Sequence, residues 1–279
     1  MSQKTNEKVR IGISIGDING IGIEIIIKTF TDNRMLDFCT PIVYGSSKIT
    51  SIHRKTLEAT EFNFNKINKI EEASPKKVNL LECWKDDVEI EFGKPTSLAG
   101  KYAFLSLEAA TNDLLEGKID ALVTAPINKD TIQSDDFNFK GHTEYLEAKA
   151  NGESIMLLTS ENLKVGIATN HIPVSSIASS LSADAIFSKL KTLNKTLVQD
   201  FLLTSPKIAV LGLNPHAGDN GLIGSEEKQI IIPAINNAKS IGINAFGPYP
   251  ADGFFGSGSY KKFDAILAMY HDQGLIPFK

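Results

Sequence analysis

Three histidines stand where a divalent cation could be held. His171, His216 and His271 each follow an apolar run by no more than three residues, in Asn170-His171-Ile172-Pro173, Asn214-Pro215-His216-Ala217-Gly218 and Tyr270-His271-Asp272-Gln273-Gly274. Neutral imidazole is a common ligand for zinc and other transition metals, and three protein ligands leave positions open to substrate oxygens. A single loop histidine is more often a solvated residue, but three at equivalent run ends reverse that balance. Asp272 follows one proposed ligand directly, and Asp252 lies in Pro250-Ala251-Asp252-Gly253. Either can orient an imidazole, reach the ion through water or accept a proton. An Asp-Gly turn explains Asp252 equally well, which makes Asp272 the better candidate.

Two more apolar runs end in polar signatures, Gly16-Asp17-Ile18-Asn19-Gly20-Ile21-Gly22 and Thr124-Ala125-Pro126, and His142 sits in a Gly-containing loop. In open α/β sheets ligands bind outside the carboxyl ends of the strands, so all five tails are expected at one mouth. Lys129 and Lys279 are cations near it and suit a phosphate or carboxylate, which points to an anionic substrate. The glycines after Ser14 are in the wrong order for a G-x-G-x-x-G dinucleotide loop, and no acidic ribose partner follows at the usual distance. A tight strand-to-helix turn explains them as well. His53, among Lys and Arg residues, reads as an ordinary surface residue.

The elements that must position these residues alternate. Short β-branched runs recur between amphipathic stretches, as in parallel strands joined by crossover helices. Strands are expected near 8–15, 40–45, 120–125, 154–159, 164–169, 207–213 and 263–269, with helices near 20–31, 101–116, 175–202 and 225–241. Ser225 is placed to cap the last of these. The polar segment 61–96 contains Pro75 and Pro95 and reads as an excursion with a hairpin. Ser134 to Lys140 reads as a hinge or mobile loop between lobes.

A chain of 279 residues with 42% hydrophobic and 22% charged content can bury a large core. Its net charge of −4 comes from 33 acidic and 29 basic residues without a basic block, which argues against nucleic acid as a partner. Cys39 and Cys83 have no metal-site or redox spacing and read as reduced, buried small hydrophobes of a cytoplasmic protein. The apolar stretch after Arg10 is broken by Asp17, Asn19 and Glu24 before it reaches signal or membrane-spanning length.

Taken together, Gly-Asp-Ile-Asn-Gly-Ile-Gly-Ile-Glu (16–24), Thr-Ala-Pro-Ile-Asn-Lys (124–129), Gly-His-Thr-Glu (141–144), Asn-Pro-His-Ala-Gly (214–218) and Tyr-His-Asp-Gln-Gly-Leu (270–275) resemble the 4-hydroxythreonine-4-phosphate dehydrogenase family. Order and spacing match over nearly the whole chain. The resemblance implies a two-lobed α/β/α fold similar to isocitrate and isopropylmalate dehydrogenases, which bind NAD without the usual glycine fingerprint. Its first lobe would span 1–130, completed in the family by residues beyond Lys279, and its second 131–279.

The resemblance further implies NAD, with NADP as the alternative, and one divalent ion (Zn, Mg or Co) held by His171, His216 and His271. The ion site would be shared across a homodimer, with His271 expected from the partner subunit. His142 and Thr143 would contact substrate, Lys279 would bind substrate and assist catalysis, and Asp272 or Asp252 would handle the proton. Cofactor-binding residues are unassigned. The implied reaction oxidises 4-hydroxythreonine 4-phosphate at C3 and decarboxylates it to 3-amino-2-oxopropyl phosphate, in pyridoxal phosphate biosynthesis. The alternatives are a dehydrogenase of a phosphorylated sugar acid (erythronate or threonate 4-phosphate) and a metal-binding protein without turnover. The second alternative arises because the family carries further Asn and Arg substrate contacts, and part of its dinucleotide site, downstream of Lys279.

Overall fold

The computed structural model describes residues 8–279, which divide into two compact units, the first through Asn151 and the second Gly152–Lys279. In the first unit, β1 (Arg10–Ser14), α1 (Gly22–Thr31), β2 (Thr40–Gly45), α2 (Ser47–Thr56), β3 (Asn65–Ile67), β4 (Asn79–Glu82), α3 (Ser97–Leu115), β5 (Ala121–Thr124) and α4 (His142–Ala150) follow in order. The five strands form a sheet ordered β3-β4-β2-β1-β5, parallel throughout. Helix α1 turns Ile23, Ile26, Ile27 and Phe30 onto Ile13, Val43 and Leu80. On another cluster Ala110 of α3 packs with Ile42 and Tyr44. The buried Ser106 hydroxyl of α3 accepts from Ile15 N–H at 2.9 Å and donates to the Tyr44 carbonyl at 2.6 Å, which ties the helix to two strands.

The hairpin expected within 61–96 is not formed, because β3 and β4 pair in parallel and a 3₁₀ turn at Ile70–Glu72 carries the chain back between them. The hinge expected at Ser134 to Lys140 is instead packed, since Phe137 is fully buried with Phe104, Leu107 and Tyr145. That cluster keeps residues 131–150 with the first unit, so the contact boundary falls after Asn151 rather than at 130/131.

The second unit contains β6 (Met156–Thr159), β7 (Lys164–Thr169), α5 (Ile177–Ser180), α6 (Ala183–Gln199), β8 (Lys207–Leu211), α7 (Ile232–Ser240), β9 (Asn244–Tyr249), α8 (Ala251–Gly256), β10 (Ala265–Tyr270) and α9 (His271–Phe278). Its sheet is ordered β6-β7-β10-β8-β9. β7, β10, β8 and β9 run parallel, whereas β6 is antiparallel to β7, because Ser160 and Leu163 close a short hairpin too tight for a crossover. One face is covered by Ile186, Leu190, Leu193 and Leu197 of α6 with Ala234, Ile235 and Ala238 of α7, the other by Phe254 of α8 with Leu275 and Phe278 of α9. Each fully buried Leu or Ile among them contributes about 1.5–3 kcal/mol.

The helix expected over 175–202 is broken at Leu181 and Ser182, where Ser182 Oγ accepts from Ala185 N–H and restarts it as α6. The helix expected at 225–241 begins with a π-turn at Glu227–Ile231, and among the described residues the Ser225 hydroxyl makes no capping bond. With both sheets covered by helices on each face, the two-unit α/β/α class expected from the resemblance holds. Among the described residues no helix is long and apolar enough to cross a membrane.

Candidate active site

The second sheet sets the proposed ligands side by side. Across its carboxyl edge β7, β10, β8 and β9 lead respectively to His171, His271, His216 and Asp252. Thr169 of β7 pairs with Tyr270 of β10, and Thr169 Oγ1 donates to the Met269 carbonyl at 2.8 Å, so both chains leave the sheet at one level. The imidazoles of His171 and His271 then lie 5.3 Å apart, centroid to centroid. His271 Nδ1 is 2.7 Å from Asp272 Oδ1. A carboxylate accepts, so Nδ1–H donates and Nε2 keeps its lone pair for a metal. Asn170, His171, Ile177, Tyr270, His271 and Asp272 line a cavity of about 330 Å³. At its wall the Asn170 Oδ1 is buried without a hydrogen-bond partner among the described residues.

His216 lines a neighbouring cavity of about 300 Å³ with Asn214, Asp252, Tyr270 and Gln273, and Tyr270 is a wall of both. The backbone that presents His216 is left-handed, with φ of 53° at His216, 52° at Ala217, 80° at Gly218, 41° at Asp219 and 56° at Asn220. Non-glycine residues avoid this region, so the turn must be held by its surroundings. Glu227 supplies that hold: its Oε1 accepts from Leu213 N–H at 2.8 Å and Asn214 N–H at 2.7 Å, and its Oε2 from Asn214 Nδ2 at 3.0 Å. Gln273 adds a brace, accepting from Met269 N–H and donating to the Gly212 carbonyl. Sequence reading missed Glu227 and assigned Gln273 no role. Glu227 was legible as a residue on the same helical stripe as Ile231 and Ala234, an odd place for a carboxylate.

In the first unit His142 opens α4, with Thr143 exposed beside it. His142 Nε2 is buried without a partner among the described residues, and burial, aided by the Lys129 cation, lowers its pKa below the ordinary histidine value. The imidazole is therefore neutral near pH 7, with an uncommitted ring nitrogen. The Gly16–Gly22 segment is the tight turn: a Cβ on Gly22 would lie 2.1 Å from the Ile15 carbonyl oxygen, and buried Asn19 bonds Lys94, Thr96 and Glu91. His53 is not a surface residue. It is 2% exposed, its Nε2 donates to the Ile18 carbonyl at 2.8 Å, and its ring stands edge-on to Phe92. Cys39 and Cys83 are free thiols, each half-buried, and burial pushes the Cys83 thiol up to about 12. Lys279 lies exposed at the end of α9, bonded through its N–H to the Leu275 carbonyl.

Among the described residues no group of three or more His, Cys, Asp or Glu side chains is gathered closely enough in one chain to hold a metal ion. The donor set itself suits one. His171 and His271 adjoin, His271 has its second nitrogen oriented by a carboxylate, and Asn170 offers an unpaired buried oxygen.

Fold and geometry together define a two-unit α/β chain whose candidate metal donors sit at the carboxyl edge of a largely parallel sheet, where ligands of open α/β sheets bind. Residues 37–279 match the family described as pyridoxal phosphate biosynthetic protein PdxA. The chain is 52% identical over 274 residues to a 4-hydroxythreonine-4-phosphate dehydrogenase of Bacteroides thetaiotaomicron, covering 98% of this chain and 75% of that protein. A protein of Oceanobacillus iheyensis provisionally named D-threonate 4-phosphate dehydrogenase is 37% identical, with 98% of this chain and 83% of that one covered. The crystal structure of a 4-hydroxythreonine-4-phosphate dehydrogenase from Burkholderia phymatum superposes with a TM-score of 0.87 at 32% identity, over 98% of this chain and 83% of that one. The chain belongs to the PdxA family, and it is an oxidoreductase of that family.

Proposed function

We propose that this chain oxidises 4-hydroxythreonine 4-phosphate with NAD. NAD, when bound, would accept hydride from C3 of the substrate as the C3 hydroxyl gives up its proton, and the resulting β-keto acid would lose carbon dioxide, with C2 taking up a proton, to leave 3-amino-2-oxopropyl phosphate. The observation that carries this reading is that His171, His216 and His271 all leave strand ends at the carboxyl edge of the second sheet, with Asp272 on His271, in a chain of this family. His171, His216 and His271 would hold a divalent ion. When bound, it would ease loss of the hydroxyl proton and stabilise negative charge developing on substrate oxygen.

The remaining roles belong to the chain's own groups. His142, neutral and unpaired at Nε2, donates to or accepts from a substrate oxygen, with Thr143 beside it. Lys129 and Lys279 supply positive charge for the phosphate or carboxylate. Asp252, on the cavity that His216 lines, and Asp272 are the candidates to take the hydroxyl proton. His216 and the His171–His271 pair line separate cavities, which fits a centre that one chain does not complete by itself; that the missing ligand is His271 of the partner subunit rests on the family resemblance. NAD, the homodimer and a cytoplasmic location are part of the same reading.

A second reading keeps the site and changes the substrate to a sugar acid such as threonate 4-phosphate, because a 37% identical relative bears that name. Both substrates place a hydroxyl near a carboxylate-bearing carbon, so the residues at the histidines serve either. NADH formation with each substrate, at matched concentrations, separates them. Preference for 4-hydroxythreonine 4-phosphate by a wide margin is expected, and preference for the sugar acid would overturn the first reading in favour of the second.

A further inference from the structure

We propose that Glu227 is a positioning residue for His216, setting the imidazole by holding the backbone that enters its turn. The proposal rests on the metal-centre reading above. Glu227 is 3% exposed, and among the described residues no Lys or Arg pairs with it. Its carboxylate is spent on Leu213 and Asn214 instead, through two backbone N–H groups and one side-chain amide. Those N–H groups come just after β8 ends, and Asn214 lies two residues before His216, where the left-handed turn begins.

The fit is steric as well as polar. A Cβ on Gly218 would lie 2.6 Å from Glu227 Oε2, so the carboxylate occupies the concave side of the turn and leaves room only for glycine there. Asn214 Nδ2 also reaches Glu226 Oε2 at 2.7 Å, which fixes the amide that Glu227 shares. A π-turn begins at Glu227, an irregularity that helices tend to keep where a side chain must be aimed. Without the carboxylate, two half-buried N–H groups lose their acceptor and four left-handed non-glycine residues, His216 among them, lose their support.

The test titrates the 279-residue chain with Co²⁺, whose visible absorption reports ligand number and geometry, and follows unfolding in parallel. Glu227→Ala is expected to weaken Co²⁺ binding about 10- to 100-fold, the range seen when groups that orient a metal ligand are lost. Glu227→Gln, whose amide oxygen can still accept both N–H bonds, is expected to restore it. In a His216→Ala background, titrated at Co²⁺ concentrations high enough to fill its weakened site, Glu227→Ala should weaken binding no further. Equal weakening in that background, an unchanged affinity for Glu227→Ala, or a loss in Gln as large as in Ala would each overturn the proposal. If Glu227→Ala does not fold, Glu227→Asp decides, since it keeps the charge but falls one methylene short. Weak binding by Asp beside normal binding by Gln is then expected, and normal binding by Asp overturns the proposal. Wild-type protein that binds no Co²⁺ would sink the metal reading itself, whereas wild-type binding with an indifferent Glu227 sinks only its positioning role.

Discussion

His171 and His271, distant in sequence, face each other at 5.3 Å because Thr169 and Tyr270 are paired in neighbouring parallel strands. The sheet register, rather than any local motif, brings the two imidazoles together. Asp272 then orients one of them.

That orientation is separable from stability. Asp272 is 68% exposed at its side chain, where an ion pair contributes little to folding. Asp272→Ala is expected to leave the unfolding midpoint nearly unchanged while weakening Co²⁺ or Zn²⁺ affinity about 10-fold or more. Equilibrium dialysis beside a thermal melt checks both halves. A melt that drops while affinity holds would assign Asp272 to the fold and not to the ion.

The first unit depends on a bond of a different kind. Ser106→Ala strips the Ile15 N–H and the Tyr44 carbonyl of their buried partner, and each orphaned group costs about 1–3 kcal/mol. Denaturant unfolding should show a loss of about 2 kcal/mol or more. A change inside experimental error would mean that water or a shifted backbone replaces the hydroxyl.

Burial of His53 predicts a pH dependence with a definite sign. Desolvation lowers its pKa from 6.5, opposed by the hydrogen bond to the Ile18 carbonyl. The unfolded chain therefore binds a proton more readily than the folded one. Stability is full above about pH 6.5 and is lost as pH falls from there through the folded pKa. His142, lowered by burial and by Lys129, acts in the same direction. His53→Gln, which keeps a donor for Ile18 but cannot titrate, should flatten the fall in melting temperature below pH 6.5 relative to wild type. Parallel pH curves for the two proteins would contradict this.

The sequence carries the strands that matter most for chemistry, because Val, Ile and Ala runs mark β7, β8 and β10 and each ends in a polar tail with a histidine. β9 was not expected, because Gly247 and Pro248 interrupt its short run, although an edge strand tolerates proline. β3 and β4 were too short to show a period. His53 looked solvated among Lys and Arg neighbours, yet it falls on the same face of α2 as Ile49, four residues earlier, and that face is buried. The Glu227 hold on Asn214 was not readable as a pair, since it joins a helix to a strand end through backbone groups that sequence patterns do not mark. The separation of His216 from the other two histidines within a chain was likewise invisible, because it follows from a left-handed turn and not from spacing.

A shared ion has a consequence for mixed dimers. If each centre takes His171 and His216 from one protomer and His271 of the partner subunit, then mixing His171→Ala with His271→Ala chains rebuilds one complete centre in each mixed dimer. Co²⁺ absorption, absent from either variant alone, should reappear after subunit exchange. Proven mixed dimers that stay colourless would place all the ligands in one subunit.

The metal content of the three single-histidine variants tests the central claim most directly. After dialysis against a divalent ion and removal of the excess, the wild-type chain should retain stoichiometric metal, whereas His171→Ala, His216→Ala and His271→Ala should each lose it while keeping native secondary structure. Retention of stoichiometric metal by any two of the variants would contradict a centre built on these three histidines.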